Sequence, residues 1–116
     1  MHLKNWSLLY PDRRTPVLSP AYDLVATLPY IAEDQLALSL GHSKSLSAIT
    51  TNQVRRFADA ARLPLSPLWP IVLEIADRTV SAWEKLAERD LLPENLNGAI
   101  EKQISTVSRS IANAWQ

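Results

Sequence analysis

Proline placement limits regular structure to short pieces in one part of this chain and frames it in another. Pro11, Pro16, Pro20 and Pro29 interrupt the first 48 residues, whereas residues 71 to 92 contain no proline. Proline lacks an N–H donor and clashes with the preceding helical turn, so it is confined to turns, edge strands and first helical turns. The first 48 residues are therefore expected to be largely irregular, and the remainder to be helix divided at Pro64 and Pro93.

Three amphipathic stripes follow from that division. Thr50-Thr51-Asn52-Gln53 has the form of a capping box, and Val54, Phe57, Ala58 and Ala61 recur at helical spacing before Pro64. Ser66-Pro67 offers an N-cap followed by a first-turn proline, with Pro70 able to delay the regular helix, and Leu68, Val72, Ile75, Ala76, Thr79, Trp83 and Leu86 mark a second helix, the longest or nearly so. After Leu92-Pro93, the residues Leu96, Ile100, Ile104, Val107, Ile111 and Trp115 mark a third. The register of Trp69, Trp83 and Trp115 assigns them to core packing, with Trp83 as an anchor of the long helix.

Earlier in the chain, Leu3 to Tyr10 alternates as a strand, Pro11 to Arg14 is a turn, and Thr15 to Leu18 returns as a short partner. Leu36, Leu38 and Leu40 predict a further short strand within Ile31 to Leu40, ended by Gly41 and a polar loop to Ser47. The fold class is thus mainly α with a small N-terminal β-hairpin. Residues 1–116 are expected to form one domain, 1–48 as hairpin and irregular segment and 49–116 as a three-helix region.

Composition excludes several chemistries. Twelve basic and twelve acidic residues cancel, so no electrostatic footprint for nucleic acid or an anionic membrane is present. The absence of cysteine removes disulfides, thiolate catalysis and sulfur-ligated zinc. Apolar runs fall short of a membrane span, and the start does not read as a signal peptide, which makes a soluble cytoplasmic protein the expectation. Gly41 and Gly98, the two glycines, cannot assemble a phosphate-binding loop.

Asn5 and Asp23 are hard oxygen donors on either flank of the expected hairpin, the residue types that hold magnesium together with substrate phosphates. The same residue types also cap turns. Their surroundings carry more information. His2, Lys4 and Asn5 match a kinase catalytic loop of the form Gly-Asp-x-His-x-Lys-Asn, and Leu18-Ser19-Pro20-Ala21-Tyr22-Asp23-Leu24 matches a Leu-x-Pro-x-Tyr-Asp-hydrophobic segment. In both respects the chain resembles the HipA family of bacterial Ser/Thr kinases, best known as toxins.

The resemblance implies a helical bundle like the last part of a HipA-like kinase C-terminal lobe, with Asn5 and Asp23 as metal ligands. It implies Lys4 and His2 as phosphate-contacting or loop-orienting residues, and a bulky Trp6 packing the loop against the helices. The family's catalytic Asp would precede Met1, so no catalytic residue is assigned within the chain. Magnesium and ATP belong to the complete kinase and are expected to bind this portion weakly at most. The functional expectation is a truncated or separately encoded C-terminal portion of a HipA-like Ser/Thr kinase, inactive alone. The alternative is a non-catalytic helical module that binds an N-terminal kinase half or an antitoxin.

Overall fold

The computed structural model describes residues 2–31, 33–45, 47 and 49–114. Among these, two short strands precede three α-helices: β1 (Leu8–Leu9), β2 (Val17–Leu18), α1 (Thr51–Ala61), α2 (Leu65–Lys85) and α3 (Glu94–Asn113). Short 3-10 turns lie at Leu3–Asn5 and Ala87–Leu91. The expected fold class, mainly helical with an N-terminal antiparallel hairpin, is what the structure contains.

In the hairpin Leu8 pairs with Leu18 and Leu9 with Val17, and the Ser19 amide continues the ladder to the Ser7 carbonyl at 2.8 Å. The strand does not reach back to Leu3 as its alternation predicts. Asn5 instead draws the preceding backbone into a 3-10 turn: its amide donates to the His2 carbonyl at 3.0 Å while its Oδ1 accepts from the His2 amide at 2.6 Å. A short polar side chain bonding to nearby backbone competes with the sheet ladder. Trp6 is half exposed, at 51%. At the hairpin tip Asp12 organises the turn, accepting from the Arg14 and Thr15 amides at 2.9 and 2.7 Å and from the Thr15 hydroxyl at 2.7 Å.

Among the described residues of Ile31 to Leu40, the expected strand is absent. The alternation of Leu36, Leu38 and Leu40 yields one Leu36 N–H to Lys44 carbonyl bond of 2.8 Å and one isolated bridge between Leu40 and Ser43. A strand is stable only where a neighbour accepts its ladder, and here the chain reverses at once. Gly41 and His42 both adopt positive φ, 55° and 69°, as a two-residue turn between paired positions requires. A Cβ at Gly41 would also collide with the Gln53 backbone at the start of α1, so both conformation and close approach select glycine.

The helices begin and end largely where proline and capping residues place them. Thr50 and Gln53 form the capping box, with side chain to backbone bonds of 3.3 and 2.7 Å, and α1 ends with Arg62 in the left-handed region before Pro64. For α2 the cap is Pro64, not Ser66, so Ser66 and Pro67 lie inside the first turn, where N–H groups have no helical partner. Pro70 stands within the helix. α3 is capped by Pro93, whose carbonyl accepts from the Leu96 and Asn97 amides at 2.9 and 3.0 Å.

α2 packs against both α1 and α3. Val54, Trp69 and Ile111 form the buried cluster, one residue from each helix, with Ile49, Leu65, Leu68, Val72, Leu73, Ala76, Val107 and Ala114 around it. The buried face of α2 is therefore rotated toward Trp69 and Leu73, and Ile75 at 53% exposure lies at its margin. Trp69 is the anchor of the long helix, 2% exposed, whereas Trp83 is only half-buried near its end. The rotation follows from α2 having two helical neighbours, which a single stripe does not anticipate. Trp115 lies outside the described residues. Two bonds close the bundle: Thr51 Oγ1 to the Ala114 carbonyl at 2.9 Å and Ser110 Oγ to the Ile49 carbonyl at 3.3 Å. Among the described residues no helix is long and apolar enough to cross a membrane.

Candidate metal centre

The hairpin brings Asn5 and Asp23 together. Asn5 ends the first 3-10 turn and is buried, at 6% exposure, and its Nδ2 donates to Asp23 Oδ2 at 2.7 Å. Asp23 stands beyond β2 in an exposed segment with a φ of 56°. Aspartate tolerates this left-handed conformation better than most residues, because its short side chain bonds locally.

The donor chemistry fits a hard divalent cation. A carboxylate and a carboxamide offer oxygen ligands, and neighbouring oxygens around an octahedral magnesium stand about 3 Å apart. The two side chains meet at 2.7 Å, from Asn5 Nδ2 to Asp23 Oδ2, so they stand in direct contact. As placed, the Asn5 amide nitrogen faces Asp23 and its oxygen serves the His2 backbone. Holding a cation therefore means presenting Oδ1 to the ion in place of the His2 amide.

A third side chain supports the pair. The Tyr22 hydroxyl donates to the Lys4 carbonyl at 2.8 Å and lies 2.6 Å from Ser7 Oγ. Lys4 and His2, the other expected site residues, enter the arrangement through their main chains: Lys4 offers its carbonyl to Tyr22, and His2 its amide to Asn5. Both residues are exposed.

Asn5 and Asp23 sit in the wall of an open cavity of about 910 Å³, which Thr27, Asp34, Thr79 and Ile104 also line. It lies between the irregular segment and the helices. Asp34 accepts from the Thr27 hydroxyl through Oδ2 and from the Gln35 amide through Oδ1, the latter at 2.8 Å. The Thr27 bond first, and the Gln35 bond next, hold its pKa below the ordinary 3.8. Tyr22 and Asp34 are the residues that reading the sequence missed as neighbours of the site. Tyr22 stands in the matching segment as part of the Pro20-Ala21-Tyr22 turn expected to hold Asp23, with no side-chain role expected of it, and Asp34 stands in the segment expected to contain a strand.

Residues 1–83 match the HipA-like C-terminal domain family, a span that holds the hairpin, the Asn5–Asp23 pair, α1 and most of α2. Over 94 residues the chain is 46% identical to a protein of Sinorhizobium fredii named "Putative kinase Y4dM", an alignment that covers 80% of this chain and 22% of that protein's length. No solved structure matches. The chain belongs to the HipA-like C-terminal domain family.

Proposed function

We propose that this chain is a C-terminal portion of a HipA-like Ser/Thr protein kinase and supplies Asn5 and Asp23 to magnesium when a complete nucleotide site is formed. The observation that carries this reading is the bond between Asn5 Nδ2 and Asp23 Oδ2, which joins two family-matching positions 18 residues apart. It is supported by the family match and by the kinase name of the relative.

Magnesium bound there would neutralise charge developing on the transferred phosphoryl group. The chain's own residues do the positioning. Asp23 provides the carboxylate and Asn5 the neutral second ligand, and the hairpin brings their two segments side by side. Two ligands make a half-site, because magnesium completes its shell with water and nucleotide phosphates. The two glycines stand apart at Gly41 and Gly98 and build no phosphate cradle among these 116 residues. The chain alone is therefore expected to transfer no phosphate.

A second reading, a non-catalytic helical module for a kinase half or an antitoxin, draws on the apolar wall left open beside α2. Ile71 and Ile75 there are 52% and 53% exposed. Co-expression with an N-terminal kinase portion separates the two. Restored phosphorylation with ATP and magnesium supports the kinase reading, and a stable complex without activity supports the module. Phosphate transfer by the purified chain alone, above the background of an Asp23→Ala control, would contradict the proposed half-site.

A further inference from the structure

We infer that Tyr22 is a positioning residue, whose hydroxyl clasps the Asn5 loop to the Asp23 segment and so presets the two proposed ligands; the inference rests on the metal reading above. Tyr22 is covalently next to Asp23, while both of its partners flank Asn5 closely: Lys4 immediately before it and Ser7 two residues after it. A phenol has one hydrogen, and a carbonyl can only accept. The Tyr22 hydrogen is thus committed to the Lys4 carbonyl, and at the second contact the Ser7 hydroxyl donates to the phenolic oxygen. The tyrosine accepts from one side of the loop and donates to the other.

The clasp holds what the remaining structure leaves loose. The ladder ends at the Ser19 amide to Ser7 carbonyl bond, and Pro20 contributes no donor beyond it. From there to Asp23 the chain is irregular, and Asp23 adopts a φ of 56°. Such a conformation persists where surrounding contacts over-determine it. Among the described residues, the side-chain ties between this segment and the Asn5 loop are the Asn5–Asp23 bond and the two bonds of Tyr22. Removing the phenolic hydroxyl leaves the ligand pair to hold itself.

The test uses the whole chain, with nitrogen-15 relaxation of the Asn5 side-chain amide in the absence of metal and Mn²⁺ as a paramagnetic probe of the ligand pair. In the wild type the Asn5 amide should be as ordered as rigid backbone, near 0.85, and in Tyr22→Phe it should fall below about 0.6 while helix resonances stay in place. Loss of such an outer support is expected to weaken Mn²⁺ binding by roughly tenfold to a hundredfold. Ser7→Ala, which spares the Lys4 bond, should show a smaller effect, and Ser7→Thr should restore the wild-type behaviour.

The two ideas fail separately. Mn²⁺ broadening that is indifferent to Asp23→Ala overturns the metal reading, and with it the functional meaning of the clasp. Mn²⁺ binding that depends on Asp23 but is unchanged in Tyr22→Phe, or an Asn5 amide equally ordered in both proteins, overturns the clasp alone.

Discussion

At the scale of single residues, burial decides which side chains the fold depends on. Trp69→Ala removes a side chain that is 2% exposed at the junction of three helices, and it should destabilise the chain by about 3–5 kcal/mol. The half-buried Trp83 at the far end of α2 should cost less on truncation, and denaturant titration of the two variants side by side checks the order. Gly41→Ala should also destabilise, because it places a Cβ against the Gln53 backbone and disfavours the positive φ of the turn. Asn5 and Asp23 were legible because they stand inside recognisable strings. Tyr22 was not, since its bonds to Ser7 and the Lys4 carbonyl depend on hairpin register and on a chain reversal after Pro20, and neither is written in local composition. Trp69, not Trp83, is the anchor of α2 for a related reason. Helical spacing defines a stripe, but the position of two neighbouring helices defines which part of it is covered.

At the scale of elements, local chemistry explains the parts that were readable. The Thr50–Gln53 box is complete within four residues, so its sequence suffices to start α1. Thr50→Ala should cost about 1 kcal/mol, measured as a lower thermal midpoint with unchanged helix content after refolding. The strand expected within residues 31–40 failed because pairing is not local: Leu36 to Leu40 has the alternation but makes only one bridge, at Leu40. The hairpin carries a pH signature. Bonds from the Thr15 amide first, then from the Arg14 amide and the Thr15 hydroxyl, lower Asp12 from its ordinary 3.8 to about 2. A depressed folded-state pKa means that the carboxylate form is favoured by folding. The stabilisation is complete above the unfolded value of 3.8 and is lost as pH falls through about 2. Amide resonances of Arg14 and Thr15 should therefore shift with a midpoint near the lower value, and Asp12→Asn should abolish that titration.

At the scale of the molecule, the chain is more open than its mass requires. Its accessible surface is 8928 Å² at 13.0 kDa, against about 6,300 Å² for a compact monomer of that mass. The radius of gyration of 16.0 Å likewise exceeds the roughly 13 Å of a compact chain of this length. Large apolar side chains are exposed ahead of the bundle, where Leu24 and Val25 are each 70% exposed and Tyr30 is 73% exposed. Burial of apolar surface is the main source of stability, so a kinase portion that covers this segment should raise the thermal midpoint of the chain and suppress its binding of a hydrophobic dye. The cavity that holds Asn5 and Asp23 opens within the same region. The most direct measurement is Mn²⁺ affinity, by electron paramagnetic resonance, of the chain assembled with an N-terminal kinase portion and ATP, compared with Asn5→Ala and Asp23→Ala in the same assembly. The proposed metal role requires each variant to lose affinity by about tenfold or more while the assembly stays intact, and wild-type affinity in both would contradict it.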